Sequence, residues 1–263
     1  MQHKLATWAE SDPNRRFDRL LRLIADRAWL AEAARIVLAS RGARTPGMDG
    51  MDKQQMQAGL DHHLADLRTN LLKGTYRPQP VKRIYIPKAN GKKRPLGIPT
   101  LTDRIVQRAM LMAMEPIWES DFHRLSYGFR PERSVHHAVR TVKIQLQDSG
   151  AGTRGRWIIE GDLASYFDTV HHRLLLRCVR RRIRDDRFVD LLWHILKAGH
   201  IDRGLFVASS EGVPQGGVLS PLLSNIMLNE FDAWLEAKYR KRPVKAIWWS
   251  GRPCSTAAIH RSG

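Results

Sequence analysis

Residues 158–172 read IIEGDLASYFDTVHH, and the fold is decided by what surrounds this stretch. The apolar pair Ile158 and Ile159 sits in a short strand spanning about 156–162 (RWIIEGD), which ends on Asp162. A carboxylate at the carboxyl end of a strand can project into a cleft and ligate Mg²⁺, which takes oxygen ligands in octahedral geometry. Read alone, the same residue serves equally as a helix N-cap or a surface carboxylate.

Downstream lies GVPQGGVLSPLLSNIML, residues 212–228. Pro214, Gly216 and Gly217 force an irregular turn that lets backbone approach a ligand closely, and Gln215 is placed to hydrogen-bond a sugar or base. Ser220 and Pro221 then open a helix that runs to about Tyr239, Ser as N-cap and Pro at the first helical position. Upstream, residues 86–99 read IPKANGKKRPLGIP. They predict a strand over 81–87, a turn at Ala89-Asn90-Gly91 and a returning strand over 92–98. Lys88 and Arg94 flank the turn, either gripping one phosphate-rich ligand together or making general contacts to RNA phosphates.

Apolar spacing predicts helices over 16–40, 52–72, from about 103 with a bend or break at Pro116, and after Ser134. Residues 41–50 (RGARTPGMDG) read as a loop. A long Arg-rich helix is expected to reach about Ala198, with a short hairpin or extended piece over 204–213. Helices mixed with short, mostly non-alternating strands give an α+β fold.

The chain carries 44 Lys and Arg against 26 Asp and Glu, a formal charge of +18. Such a surplus suits a polyanionic partner, since each phosphate neutralised releases condensed counterions. Between Asp66 and Asp103 there is no acid but nine basic residues, interleaved with strand formers as on a folded nucleic-acid surface. No apolar run approaches the roughly 18–20 residues of a membrane span. Neither a signal peptide nor a cysteine framework is present, since the only cysteines are Cys178 and Cys254. The expectation is a reducing, cytoplasmic setting.

Taken in order, RPQPVKRIYIPKANGKKRPLGIPTLTDRIVQRAM, SYGFRPERSVHHAV, IIEGDLASYFDTVHH and GVPQGGVLSPLLSNIMLNEFD resemble group II intron reverse transcriptase/maturases, as does ARTPGMDG at 43–50. The resemblance covers about residues 43–239. It implies a right-hand polymerase fold, with an amino-terminal helical extension over 1–60, fingers over 61–150 and a partial palm over 151–240. It implies that Asp162 is the first catalytic, metal-binding aspartate of a two-Mg²⁺ site, with the Leu163 backbone carbonyl beside it. By the same resemblance Phe167 excludes a ribose 2′-hydroxyl, Lys88 and Arg94 bind the incoming dNTP, and Gln215 packs beside the new base pair. Arg83, Lys92, Lys93 and Arg130 are the implied RNA contacts. The implied partners are intron RNA, or an RNA template with a DNA primer, in a ribonucleoprotein or nucleoid-associated setting.

The sequence departs from the family's pattern in one respect. The family carries Tyr-x-Asp-Asp beyond the GVPQGG helix, and these 263 residues contain none. The only Asp-Asp, Asp185-Asp186, precedes that helix. Residues 241–263 (KRPVKAIWWSGRPCSTAAIHRSG) form a basic tail with no clear apolar face, as a frameshift or premature stop would produce, a natural short form being the alternative. The expectation is a chain without thumb, inactive alone. Two readings follow: an RNA-directed DNA polymerase by descent, or a non-catalytic, maturase-like RNA-binding remnant.

Overall fold

The computed structural model describes residues 1–87, 91, 93–147, 157–214, 216–239 and 258–261. In chain order come helices α1 (Gln2–Ser11), α2 (Leu20–Ile24), α3 (Arg27–Ala39), α4 (Lys53–Ala58) and α5 (Leu60–Lys73). Strands β1 (Val81–Pro87) and β2 (Lys93–Ile98) follow, then α6 (Leu101–Trp118), α7 (Val135–Gln147) and β3 (Trp157–Glu160). The remainder is α8 (Tyr166–Thr169), α9 (His172–Arg182), α10 (Asp186–Lys197), β4 (His200–Asp202), β5 (Leu205–Val207), α11 (Ser220–Tyr239) and β6 (Ala258–Arg261).

Two compact units result. One comprises Met1–Asp121 with Phe167–Ile226, the other Phe122–Tyr166 with Met227 onward. Their boundaries cut across the spans 1–60, 61–150 and 151–240 read from the sequence.

The first unit is built on α6, a helix buried over most of its circumference by α1, α2 and α3. Leu101, Ile105, Met110, Met114 and Ile117 are among its fully buried side chains. A helix hydrophobic nearly all round belongs in a core. Pro116 does not break it. The proline's missing N–H would have bonded the Met112 carbonyl, and the Gln2 side-chain amide of α1 donates there instead, at 3.1 Å. The helix therefore runs on to Trp118.

Three long helices expected from apolar spacing are each divided, and two of the breaks are set by aspartates. Asp26 interrupts 16–40: its carboxylate accepts from the amides of Ala28 (3.0 Å) and Trp29 (3.1 Å), capping α3. Gly59 separates α4 from α5, with a capping box between Asp52 and Gln55 opening α4. The Arg-rich helix stops at Arg182, where Ile183 pairs with Phe17 in an isolated parallel bridge. Asp185 then caps α10 by accepting from the Phe188 amide (3.1 Å), and it also accepts from the Leu21 amide (2.8 Å). Periodicity alone misses such breaks, because side-chain caps compete with the helical ladder without disturbing the apolar stripe.

The first unit's sheet has the order β2-β1-β4-β5. β1 runs antiparallel to β2 and parallel to β4, and β4 and β5 form a hairpin. In the second unit α7 starts after Ser134, whose hydroxyl accepts from the His137 amide at 3.3 Å. Within the tail, the described residues form β6, which pairs antiparallel with β3. Among the described residues no helix is long and apolar enough to cross a membrane.

The loop expected over 41–50 begins with a 3-10 turn (Arg41–Arg44) and passes Gly47 tightly under the start of α6. A Cβ at Gly47 would lie 2.6 Å from the Thr100 Cα and 2.7 Å from its nitrogen, with only backbone there to yield. Gly59 faces open space at negative φ. Gly47→Ala should therefore lower unfolding free energy by about 1–3 kcal/mol, whereas Gly59→Ala should leave it unchanged or raise it by up to about 1 kcal/mol. Urea melts of both variants check the contrast.

Candidate nucleic-acid and nucleotide site

The first turns of α6 carry three buried polar side chains, and each holds a loop. Asp103 accepts from the Thr100 hydroxyl (2.7 Å), the Gln79 amide (3.3 Å) and the Tyr76 hydroxyl. Burial pushes its carboxyl pKa up while these hydrogen bonds pull it down, and burial likewise drives the Tyr76 phenol well above its usual range. Arg104 donates to three carbonyls, those of Pro99 (2.9 Å), Gly42 (2.7 Å) and Thr45 (2.8 Å). Gln107 accepts from the Val218 amide at 2.9 Å, so it fixes the far end of the 212–218 loop.

The near end of that loop is held against α8 and α9. The Gly212 amide donates to the Val170 carbonyl (2.8 Å), and the Val213 amide to the Phe167 carbonyl (2.7 Å). His172, buried at the start of α9, bonds the Gly212 carbonyl through Nε2 at 2.6 Å. Only glycine suits position 212, since φ is +85° and a Cβ would meet the Asp168 carbonyl oxygen at 2.8 Å. Gly216 has φ +101° and would place a Cβ 2.6 Å from the Gly97 carbonyl oxygen and 2.7 Å from Leu96 Cδ1. These glycines bring backbone close to β2 and the Phe167 segment, where the sequence reading expects a ligand. The Ser220 hydroxyl donates back to the Pro214 carbonyl (2.7 Å), closing the turn rather than capping α11.

Strand alternation sorts the cations of the sheet. Leu96, packed at Gly216, shares its β2 face with Arg94, which lies opposite Ile86 of β1. Lys93 points the other way, on the face shared with Arg83 and with Tyr85, whose hydroxyl donates to Asp202 at 2.6 Å. The Phe167 backbone and the β2 face that bears Leu96 and Arg94 therefore both meet the described ends of the 212–218 loop, while Arg83 and Lys93 belong to the opposite face. Lys88, Lys92 and Gln215 themselves lie outside the described residues.

In the second unit Asp162 is half-buried two residues beyond β3, and the Leu163 side chain is exposed. Arg130 is 7% exposed, with its guanidinium donating to the His123 (2.8 Å) and Ser126 (3.0 Å) carbonyls and lying 5.2 Å above the Phe122 ring. That geometry has Arg130, implied by the resemblance as an RNA contact, bracing its own loop from a largely buried position. The loop is tied to α11 through His123, whose amide donates to Asn229 (3.2 Å) and whose ring pairs with Glu236. Asp185 and Asp186 are structural, the second pairing with Arg180.

Residues 86–249 match the family described as reverse transcriptase (RNA-dependent DNA polymerase). The chain is 69% identical over 249 residues to Protein YkfC of Escherichia coli (strain K12), covering 95% of this chain and 65% of that protein. It is 38% identical over 225 residues to the Group II intron-encoded protein LtrA of Lactococcus lactis subsp. cremoris, covering 83% of this chain and 35% of that one. The chain belongs to the group II intron reverse transcriptase/maturase family. A putative COX1/OXI3 intron 2 protein of Saccharomyces cerevisiae is 34% identical over 223 residues, with 84% of this chain and 25% of that protein covered. The polymerase-like fold has a solved counterpart in a chain of the Partial Cas6-RT-Cas1--Cas2 complex, at TM-score 0.55 and 21% identity, covering 83% of this chain and 35% of that one. The chain thus spans about two thirds of one of these relatives and about a third or less of the others.

His172 and Gln107 were not singled out by sequence reasoning. A glutamine flanked by Ile105, Val106, Ala109 and Met110 in α6, and a histidine opening α9, are the available signals. His172 keeps a pKa below its ordinary 6.5, chiefly through burial, with the Gly212 hydrogen bond opposing. Because the folded pKa is depressed, the unfolded chain binds more protons on acidification. The stability contributed by neutral His172 is therefore complete above 6.5 and is lost as pH falls below it. His172→Phe should cost about 1–3 kcal/mol at neutral pH by stranding the Gly212 carbonyl. The gap between wild type and variant should narrow from about pH 7 to about pH 5. Urea melts across that range supply the check, and a constant gap would contradict it.

Proposed function

We propose that this chain is the fingers and partial palm of a group II intron RNA-directed DNA polymerase, with 1–60 an amino-terminal extension and 241–263 a basic tail. The observation that carries the reading is the clamped 212–218 loop, held between the Phe167 backbone and the β2 face bearing Arg94. In this reading Phe167 excludes the ribose 2′-hydroxyl, while Arg94, Lys88 and Gln215 receive the dNTP. Arg94 would grip two phosphate oxygens at once and Lys88 would act as a compact point charge. Arg83, Lys92 and Lys93 contact RNA, their phosphate pairing being worth counterion release.

Asp162 and the Leu163 carbonyl would supply part of a Mg²⁺ ligand set, from oxygen donors of the kind that ion takes. Among the described residues no group of three or more His, Cys, Asp or Glu is placed to hold a metal, and the sequence has no Tyr-x-Asp-Asp. The residues present do not fit a complete two-metal site, so no catalytic step is assigned to them. A second reading, a maturase-like RNA-binding role without polymerase activity, is favoured by Arg83 and Lys93 facing away from the Arg94 side of the sheet.

The two readings agree that these 263 residues grip RNA electrostatically. With about six phosphates engaged, affinity should fall by roughly three orders of magnitude between about 50 and about 200 mM salt. Primer extension on an RNA template should give no dNTP incorporation. Incorporation that Asp162→Ala abolishes would overturn the incomplete-site reading, and a salt-independent affinity would overturn RNA binding.

A further inference from the structure

The loop after α6 in the second unit presents three aromatic side chains in three different ways. Phe122 is buried beneath the Arg130 guanidinium, and Tyr127 lies beneath Arg133, 5.3 Å from its ring, with its hydroxyl 2.7 Å from the Thr141 hydroxyl. Phe129 is 69% exposed and, among the described residues, has no ring or cation contact. Its φ is +54°, a left-handed conformation that is unusual for a large L side chain. Strain of this kind persists only where the surroundings impose it.

The surroundings do impose it. Arg130 ties the loop to the His123 and Ser126 carbonyls, and Arg133 donates to the Arg124 carbonyl at 2.6 Å. The Ser126 amide donates to the His123 carbonyl at 2.9 Å, and Leu125 to the His123 ring at 3.2 Å. Both arginines are thus turned inward onto backbone, while the Phe129 ring, directly before Arg130, is turned outward.

We propose that Phe129 is a base-stacking residue for unpaired RNA. Every nucleobase offers a π-face, so a single exposed ring on a fixed turn recognises single strands without reading sequence. Charge selects this partner over an apolar protein surface: besides the inward-turned Arg130 and Arg133, residues 122–147 hold Arg124, Arg140 and Lys143, all exposed, against the one acid Glu132. A strained ring held in place has already met the ordering cost of binding. The inference rests on the RNA-binding reading above and adds to it a contact to bases rather than phosphates.

The test measures affinity of the whole chain for a short unstructured RNA and for an abasic strand of equal length. Phe129→Leu should weaken RNA binding by roughly tenfold and leave the abasic strand unaffected, while Phe129→Trp keeps wild-type affinity. Phe129→Gly should bind as weakly as Phe129→Leu yet raise the melting midpoint, since glycine accepts the left-handed φ freely. That variant separates loss of the ring from loss of the fold. Wild-type-like affinity of Phe129→Leu, or an equal loss for both strands, would overturn the inference while leaving RNA binding intact. So would a change in self-association without a change in affinity, which would make the ring a protein contact. Failure of the wild-type chain to bind either strand would instead sink the RNA-binding reading itself.

Discussion

Asp103, Arg104 and Gln107 occupy two turns at the buried start of α6, and each satisfies backbone or hydroxyl groups of a different segment. A buried polar side chain is costly unless its hydrogen bonds are complete, and removing one strands its partners at about 1–3 kcal/mol each. The asymmetry is what makes these residues specify structure. Arg104 fixes the amino-terminal loop against Pro99, Asp103 fixes Tyr76 and Gln79 ahead of β1, and Gln107 fixes the 216–218 turn. The β1–β2 hairpin and the loop carrying Gln215 are thereby referred to one helix, which is itself immobilised by α1, α2 and α3.

That arrangement explains why the sheet can serve two surfaces. Alternation along β2 sends Arg94 towards the loop side and Lys93 to the other, with Arg83 and Tyr85 following Lys93 from β1. A chain of +18 would be hard to keep compact with its cations on one surface, because like charges repel through a low-dielectric interior. Distributing them over two faces of one sheet lowers that repulsion. Among the described residues the buried arginines are spent largely on carbonyls: Arg104 and Arg182 in the first unit, Arg182 pairing also with Asp121, and Arg130 in the second.

Much of this was legible in the sequence where local signals and tertiary structure agree. β1 and α11 fall on their expected residues, because a strand beside an Asn-Gly turn and a helix opened by Ser-Pro are specified locally. The helix breaks at Asp26, Gly59 and Asp185 were not legible, since each depends on a cap or on backbone from elsewhere. Asp185, for instance, takes an amide from Leu21. Helix α1 escaped notice because only Leu5 and Ala9 are buried on it. Around the site, motif identity pointed to Asp162, Phe167 and Arg94. Gln107 and His172, which hold the two ends of the 212–218 loop through Val218 and Gly212, leave no motif. The resemblance implies an RNA contact at Arg130, but the burial of that side chain against its own loop is a tertiary feature that the motif does not carry.

The most direct test of α6 as the reference for the site is amide hydrogen exchange on Gln107→Leu, a change close to isosteric that removes the acceptor of the Val218 amide. The account predicts much faster exchange at Val218 and its loop neighbours, with β1 and β2 still protected and the melting midpoint little moved. Unchanged protection at Val218 would contradict it, as would loss of protection spread evenly over the whole first unit.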